Sequence, residues 1–581
     1  MSVAVASLAD DNREELEALC RMLTRASGFR LGFAVANHPS LRSRLAQDIR
    51  AACGIQPDEV TLNPRVPEGI VAQLERAVGE KRPRALLVHG LESMLDLTVR
   101  QSPAMDLLNL NRDYCWQRFP WPVVFVAPLF AVREFARQAP DFWSGRTGVY
   151  RFTGDHDDIR ETLAGLGIDY DWSLPAGSKL ERREVLDSLE AELETTGGED
   201  TSIAVETLSL LARAAAFEHN WSRQEQLLSK ALPLYRQIGD RLGEANTIQA
   251  LGDVALQQAR YDDAAQRYEH ALPIYRQIGH RLGEANTIKA LGDVARMQAR
   301  YDDAAQRYEH ALPIYRQIGA RLGEANTIQA LGHVARMQDR YDDAAQRYEH
   351  ALPIYRQIGH RLGEANTIKA LGDVALQQDR YDDAAQRYEH ALPIYRQIGD
   401  RLGEANTIQA LGDVARMQDR YDDAAQRYEH ALPIYHQIGH RLGEANTIKA
   451  LGDVALQQDR YDDAAQRYEH ALPIYRQIGA RLGEANTITA LGDVARMQAR
   501  YDDAAERYEH ALPIYRQIGA RLGEANTLVS RARLGIASGR RAHAVSEMAE
   551  AIRIYRSIGL DQWAEIFQAE AAGWGDVSRP R

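Results

Sequence analysis

The sequence predicts a multidomain protein: an α/β N-terminal domain with three layers around a parallel sheet, followed by an all-α solenoid of stacked helical hairpins. Three observations predict this fold class. Apolar strand-like runs alternate with helical stretches over residues 1–155. Seven nearly identical 40-residue blocks run from Arg241 to Ala520, and each block shows helical periodicity twice. Because such a period is typical of arrays in which each unit contacts only its neighbours, we expect an extended binding surface rather than a deep pocket.

Changes in residue composition and apolar periodicity along the chain predict its domain organisation. We expect the α/β domain at residues 1–155, a helical linker at 156–200, nine helical hairpins at 201–560, and a capping helix with a tail at 561–581. The two end hairpins diverge from the consensus, which is how arrays cover their exposed apolar ends. A chain of 581 residues is also too long for one hydrophobic core.

Composition narrows the classes of function. The net charge is −12, which argues against sequence-independent nucleic-acid binding, since that requires clustered Lys and Arg. The longest apolar run, residues 121–132, is shorter than the ~20 residues needed to span a bilayer, and no signal peptide is expected. Three cysteines without metal-ligand spacing predict no disulfide framework. We therefore expect a cytoplasmic protein without a membrane or nucleic-acid partner.

The order of elements in the N-terminal domain predicts its sheet. Strand-like runs alternate with helical runs, which favours parallel strands covered by helices on both faces. The predicted strands are residues 31–36, 59–64, 85–90, 122–128 and 148–152. The predicted helices are residues 40–52, 68–81, 104–118 and 130–138. Trp116, Phe119, Trp121, Phe142 and Trp143 are interpreted as core, with a docking patch as the alternative.

This order resembles the core of P-loop NTPases, in particular the signal-transducing (STAND) ATPases that often precede helical repeats. The phosphate-binding motif GxxxxGK[ST] is missing, because the loop after the first strand reads NHPS at residues 37–40. Glu92 follows the third strand, but no aspartate stands at the usual magnesium position. We therefore expect a degenerate domain without Walker motifs, cofactor or catalytic residues. A nonstandard nucleotide site and an unrelated α/β enzyme stay open as alternatives.

Two further segments of the N-terminal region carry an interpretation. Residues 108–152 resemble a domain at the head of bacterial repeat proteins, which implies a role in signalling or defence. The cluster Asp-His-Asp-Asp at residues 155–158 precedes a helical pattern, so its acids are interpreted as a helix start rather than as a metal site.

Each 40-residue block predicts two antiparallel helices. Residues 281–320 read RLGEANTIKALGDVARMQARYDDAAQRYEHALPIYRQIGA. Apolar residues recur at three- and four-residue steps in both halves, which indicates one buried face per helix. Gly239 and its copies stand where a helix ends in a left-handed residue. Two helices of this length cannot bury their apolar faces alone, so neighbouring hairpins must stack.

The small and large residues of the block resemble the tetratricopeptide repeat signature. The residues that carry the resemblance are Ile248, Leu251, Gly252, Ala255, Ala264, Tyr268 and Ala271. The match has departures, since Ile248 stands at the family's tryptophan position and Ala255 at its tyrosine position. The block is also longer than the family's 34-residue unit and resembles the longer-helix variety of cargo adaptors and polarity scaffolds. The resemblance implies a superhelical array that binds proteins.

Differences between blocks concentrate on one side of the first helix, which lines the inner groove in the family fold. Asparagine offers both donors and an acceptor, which suits holding a peptide by its backbone. The predicted groove residues are Asn246, Asn286, Asn326, Asn366, Asn406, Asn446, Asn486, Asp253, Asp293, Asp373, Asp413, Asp453, Asp493, Lys289, Lys369, Lys449, Arg296, Arg336, Arg416 and Arg496. His333 interrupts the row of aspartates. The alternative is a solvated helix face that binds nothing.

The predicted function is a non-enzymatic scaffold that binds a peptide or protein in this groove. Histidines at block spacing, such as His270 and His310, lie too far apart to share a zinc ion, so no metal is expected. Self-association stays open. The rival hypothesis is a nucleotide-regulated, STAND-like switch, in which the N-terminal domain binds ATP and the array senses a trigger.

Overall fold

The computed structural model describes residues 10–66, 69–95, 103–154, 158, 187, 190 and 201–574. The chain divides into two compact units, Met1–Gln298 and Ala299–Arg581. The first unit contains a parallel sheet and the first helices of the repeat array, and the second contains helices throughout its described residues.

Five parallel strands form one sheet in the first unit, as predicted. The strands are β1 Arg30–Ala36, β2 Asp58–Thr61, β3 Leu86–His89, β4 Pro122–Ala127 and β5 Gly148–Phe152. Their order across the sheet is β2-β3-β4-β1-β5. Phe33 of β1 pairs with Phe125 of β4 and with Val149 of β5. The buried central strands β1 and β4 read as nearly continuous apolar runs, because helices cover both faces of the sheet.

Helices cover the sheet on both faces. They are α1 Asp10–Thr24, α2 Pro39–Cys53, α3 Gly69–Val78, α4 Pro103–Leu110, α5 Arg112–Arg118, α6 Leu129–Gln138 and α7 Pro140–Ser144, with a 3₁₀ turn at Leu91–Met94. Leu19 of α1 and Ile49 of α2 belong to the core on one face. Ile70 of α3 and Phe135 of α6 belong to the core on the other face.

The sequence prediction of these helices was wrong in two places. Helix α1 was not predicted, although its buried leucines contribute to the core. The single helix predicted at residues 104–118 is two helices, which are separated at Asn111, whose side-chain Nδ2 donates to the Leu107 carbonyl. The aromatic cluster is core, as predicted: Phe119, Trp121 and Phe142 are buried.

Helical hairpins follow in both units. In the first unit they comprise α8 Thr201–Phe217, α9 Trp221–Ile238, α10 Arg241–Gln257, α11 Tyr261–Gln277 and α12 Arg281–Met297. In the second unit the helices are α13 Tyr301–Gln317, α14 Arg321–Met337, α15 Tyr341–Gln357, α16 Arg361–Gln377, α17 Tyr381–Ile398, α18 Arg401–Met417, α19 Tyr421–Gln437, α20 Arg441–Gln457, α21 Tyr461–Gln477, α22 Arg481–Met497, α23 Tyr501–Ile518, α24 Arg521–Ala537, α25 Arg541–Ser557 and α26 Asp561–Gly573.

The turns between helices use left-handed residues at two points of each block. Gly399 ends α17 with φ 74°, as its sequence position predicted. Asp379, between α16 and α17, also has a positive φ of 57° although it is not glycine. Asp tolerates this conformation better than most residues. The Asp400 carboxylate then caps α18 by accepting a hydrogen bond from the Gly403 amide at 2.9 Å.

A buried glutamate joins successive hairpins. Glu364 at the start of α16 accepts from Arg356 Nε of the preceding helix at 2.9 Å and from Arg361 of its own helix. Because Glu364 is only 5% exposed, its charge requires these partners. The arrangement recurs from block to block and fixes how one hairpin stacks on the next.

Candidate functional site

The predicted asparagines lie on the first helix of each hairpin and accept hydrogen bonds from tyrosines of the second helix. Asn366 Oδ1, for example, accepts from the Tyr395 hydroxyl. The oxygen–oxygen distances are 2.8 Å for Tyr275–Asn246, 2.7 Å for Tyr355–Asn326, 2.6 Å for Tyr395–Asn366, 2.7 Å for Tyr435–Asn406, 2.7 Å for Tyr475–Asn446 and 2.7 Å for Tyr515–Asn486. Asn286 occupies the same position of α12.

This hydrogen bond orients each asparagine side chain. Because Oδ1 of Asn366 accepts from the buried hydroxyl of Tyr395, its NH₂ group is directed away from that hydroxyl. Asn366 and Asn446 are exposed, and Asn406 is half-buried. The row therefore presents carboxamides whose orientation is fixed by the packed helix behind them.

The predicted aspartates are also held by tyrosines. The Tyr388 hydroxyl donates to Asp373 Oδ1 at 2.8 Å, and burial raises the pKa of Tyr388. Equivalent bonds measure 2.7 Å for Tyr268–Asp253, 2.7 Å for Tyr428–Asp413, 2.8 Å for Tyr468–Asp453 and 2.7 Å for Tyr508–Asp493. These tyrosines stay protonated, so they act as permanent donors to the carboxylates.

The predicted cations lie beside the aspartates of their own helices. Lys369 Nζ contacts Asp373 Oδ1 at 3.0 Å, and Lys449 contacts Asp453 Oδ2 at 2.9 Å. In the first unit Lys289 contacts Asp293 Oδ2 at 2.8 Å. These lysines are four residues before their aspartates, a spacing that places both side chains on one helix face.

Arginine replaces lysine on alternate helices of the second unit. Arg496 Nε lies 3.9 Å from Asp493 Oδ1, and Arg416 follows Asp413 by the same three residues. Burial raises the pKa of Asp413, whereas the Tyr428 hydrogen bond and Arg416 lower it. Arg336, at the same position of α14, follows His333 instead of an aspartate. In the first unit Arg296 is half-buried near the end of α12.

We call the exposed and half-buried residues of these rows in the second unit the ladder surface. It comprises Asn326, Asn366, Asn406, Asn446, Asn486, His333, Asp373, Asp413, Asp453, Asp493, Lys369, Lys449, Arg336, Arg416 and Arg496. Three of its aspartates pair with a cation of their own helix: Asp373 with Lys369, Asp453 with Lys449 and Asp493 with Arg496. Its carboxamides are oriented by the tyrosines. The surface can therefore present hydrogen-bond donors, acceptors and side-chain charges at a regular spacing.

Sequence reasoning missed the tyrosine hydroxyls and one asparagine. The tyrosines were assigned to the core only, but their hydroxyls reach the first helix. The Tyr435 hydroxyl, for example, lies 2.9 Å from Gln409 Oε1 as well as 2.7 Å from Asn406 Oδ1. Asn526 in the divergent hairpin accepts from Tyr555 and continues the row. The constant separation of 29 residues between each asparagine and its tyrosine was the available signal.

The N-terminal domain uses its predicted loop residues for internal contacts. Asp158 is buried at the start of α2, where it accepts from Ser40 Oγ at 2.6 Å and from Arg44 Nη2 at 2.8 Å. Glu92 Oε1 lies 3.2 Å from Arg42 Nη1. The Asp158 carboxylate thus lies near the N-terminus of α2, and helix N-termini favour anions. Residues 155–157 of the predicted acidic cluster lie outside the described residues.

The described part of the chain contains neither a candidate metal site nor a membrane-spanning helix. No group of three or more His, Cys, Asp or Glu side chains there has metal-binding geometry. No helix among the described residues is long and apolar enough to cross a membrane.

The array matches a known family. The family model of the tetratricopeptide repeat matches residues 203–277, 268–317, 323–397, 363–437, 404–477 and 443–517, which together make up more than half of the chain. The chain therefore belongs to the tetratricopeptide repeat family, and its array supports a role in protein interaction or sensing. The comparison with curated proteins found no match.

Several solved structures are similar to the chain. A STAND protein with a tetratricopeptide repeat sensor from Pyrococcus horikoshii is 11% identical, with a TM-score of 0.49 over 97% of this chain and 98% of that chain. The quorum sensor NprR from B. thuringiensis is 16% identical, with a TM-score of 0.44 over 62% of this chain and 97% of that chain. BtubC from P. vanneervenii is 20% identical, with a TM-score of 0.35 over 38% of this chain and 92% of that chain.

Proposed function

We propose that the ladder surface binds an extended peptide segment of a partner protein and that the chain acts as a non-enzymatic scaffold. The observation that carries the proposal is the row of accessible asparagines, each with its Oδ1 held by a buried tyrosine, as in Asn366 with Tyr395. An oriented carboxamide can donate to a peptide carbonyl without first losing side-chain freedom. The smaller loss of side-chain entropy favours binding to the backbone carbonyls of a peptide.

The spacing of the row supports an extended ligand. Successive first helices contact each other, since Gln329 Nε2 donates to Thr367 Oγ1 at 3.2 Å. Packed helices lie about 8–10 Å apart, and an extended chain rises about 3.3 Å per residue. One asparagine therefore meets about every third residue of an extended peptide. The paired charges between the asparagines, such as Lys369 with Asp373, then lie where they contact peptide side chains.

The N-terminal domain supports a scaffold role because its loops lack a phosphate-binding motif. Residues 37–40 contain neither glycine nor lysine, so neither the backbone wrap nor the charge of a P-loop is available. Asp158 also stands near the N-terminus of α2 and would repel a phosphate placed there.

A nucleotide-regulated switch is the second candidate. It is favoured by the doubly wound parallel sheet, since such sheets bind ligands in a crevice at the carboxyl ends of their strands. Titration calorimetry of the full-length protein with ATP and Mg²⁺ separates the two candidates. Micromolar binding would favour the switch, and no heat of binding would favour the scaffold.

The peptide proposal is tested by selecting peptides from a random display library on the full-length protein. The variant changes Asn366, Asn406, Asn446 and Asn486 to Asp. Aspartate keeps an oxygen for each tyrosine but replaces the NH₂ donor, so the fold should persist while peptide binding falls. We expect at least a tenfold loss of affinity for the selected peptides.

The matched control adds the same number of acids to exposed positions of the second helices, as His350, His390, His430 and His470 changed to Asp. This control should keep the affinity, and both variants should keep the helical circular dichroism of the parent. Equal affinity in the asparagine variant, or no enriched peptide at all, would contradict the proposal.

A further inference from the structure

One position of the ladder surface carries a positive charge that its own helix does not balance. On α14, His333 stands where the other helices of the ladder surface have aspartate, and Arg336 follows three residues later. The corresponding residues of α18 are Asp413 and Arg416. The first helix of the Arg336 hairpin thus contributes an arginine to the surface without the acid that accompanies it elsewhere.

The packing around His333 is otherwise unchanged. The Tyr348 hydroxyl lies 2.9 Å from His333 Nδ1, and the two rings meet edge to face at 5.3 Å. Tyr388 approaches Asp373 in the same way, at 2.8 Å. The substitution therefore keeps the helix contact and removes only the negative charge.

Arg336 is left with unused hydrogen-bonding capacity. Its Nε is buried without a hydrogen-bond partner, as is Nε of Arg496. Arg496 has Asp493 Oδ1 at 3.9 Å, whereas His333 stands in that place before Arg336. Arg336 lies against the phenol of Tyr348. Burial raises the pKa of Tyr348, and the nearby charge of Arg336 lowers it. On the next first helix Asp373 is already engaged by Lys369 and Tyr388. Asp373 is therefore not available to Arg336 without breaking another contact.

We propose that Arg336, with His333 beside it, binds a carboxylate of the peptide ligand. The inference rests on the proposed function and specifies it: the partner segment carries an acidic residue at the position that faces α14. A carboxylate matches the planar guanidinium with two parallel hydrogen bonds. Its single charge also suits a site with one uncompensated cation, since the nearby Asp373 disfavours anions of higher charge.

The first arm of the test asks which peptides are selected. A random peptide library displayed against the full-length protein should yield sequences enriched in Asp or Glu at one fixed position. The same selection on Arg336→Gln and on His333→Asp should lose this enrichment, because the first variant removes the cation and the second supplies an internal acid for it. Arg387→Gln is the control and should keep the enrichment, because Arg387 lies on the second helix α17, outside the ladder surface, and its Nε already contacts Asp383 Oδ1 at 3.5 Å.

The second arm measures affinity with one selected acidic peptide, acetylated and amidated, and its Glu→Gln counterpart. We expect Arg336→Gln to weaken binding of the acidic peptide about tenfold and to leave the neutral peptide unchanged. Asp413→His should strengthen binding of peptides with a second acidic residue, because it copies the α14 arrangement on α18. Comparing the selected peptide with a free carboxyl terminus and with an amidated one shows whether the site binds a terminal carboxylate or a side-chain carboxylate.

The outcomes distinguish the two proposals. Peptides that depend on the asparagines but show no acidic preference, or whose affinity is the same for Arg336→Gln and Arg387→Gln, overturn the carboxylate site and leave the peptide groove standing. If no asparagine-dependent peptide is recovered, both proposals fall. Helical circular dichroism and melting temperature of every variant establish that a lost signal reflects binding rather than unfolding.

Discussion

The ring of Tyr388 lies directly against the backbone of Gly372. A Cβ atom added to Gly372 would come within 2.6 Å of the Tyr388 ring carbon Cε1. The same close approach recurs between Gly412 and Tyr428 at 2.6 Å. The absence of a side chain on the first helix therefore lets the second helix approach closely enough for its tyrosine hydroxyl to reach the aspartate of the ladder surface.

The first prediction concerns this contact. Gly372→Ala should lower stability, although alanine is favoured over glycine in a helix by about 0.5–1 kcal/mol. The added methyl group overpacks a buried contact, which typically costs about 1–3 kcal/mol. Gly573→Ala is the matched control, since no atom lies within 4 Å of its added Cβ. Urea midpoints of both variants test this, and a stabilised Gly372→Ala would show that the tyrosine moves aside without cost.

The second prediction concerns the one internal junction of the second unit where histidine replaces the bridging arginine. His436 Nδ1 lies 3.4 Å from Glu444 Oε1, whereas Arg396 Nε lies 2.9 Å from Glu404 Oε1. His436→Arg should raise stability by about 0.5 kcal/mol, a small gain because position 436 is exposed. Arg396→His should lower it by a similar amount. Thermal melts of both variants provide the measurement, and shifts of the same sign would refute it.

The third prediction is a pH dependence at Asp413. Burial raises its folded-state pKa above the ordinary value of about 4, so the folded protein holds this proton more tightly than the unfolded chain does. The protonated Asp413 side chain therefore stabilises the folded state at low pH, and this contribution is lost as pH rises through the folded-state pKa. Asp413→Asn removes the effect.

This linkage is measured as a difference between two proteins. The stability of Asp413→Asn relative to the parent should increase between pH 4 and pH 7, as urea midpoints at each pH would record. His350→Asp is a control at an exposed site of a second helix. A difference between Asp413→Asn and the parent that stays constant with pH would mean that Asp413 titrates as it does in the unfolded chain.

Much of the fold follows from the sequence, because periodicity reports burial directly. The two helices of each block and the five strands were predictable, since their apolar spacing is regular. Helix α1 was missed because its buried leucines, such as Leu19, belong to a short polar segment at the start of the chain. The left-handed turn at Asp379 was missed because glycine, not aspartate, is the usual signal for that conformation.

The candidate site was less predictable than the fold. The rows of asparagine and aspartate were visible from the spacing alone, but their hydrogen bonds were not. A tyrosine such as Tyr395 belongs to the buried face by periodicity, and only the helix separation decides whether its hydroxyl reaches Asn366. Sequence patterns report which face a residue occupies, whereas side-chain reach across two helices depends on packing distance.

The last prediction concerns the modularity of the array. Deleting residues 361–400 joins His360 to Arg401 and restores an ordinary junction, because Arg356 then meets Glu404 as it now meets Glu364 at 2.9 Å. The shortened protein should stay helical and monodisperse, with a modest loss of stability equal to one hairpin and one interface. Deleting residues 381–400 instead removes α17 alone and leaves the apolar face of α16 without its partner, so this variant should aggregate. Circular dichroism melts and size-exclusion chromatography compare the two. If both deletions behave alike, stacking does not depend on complete hairpins.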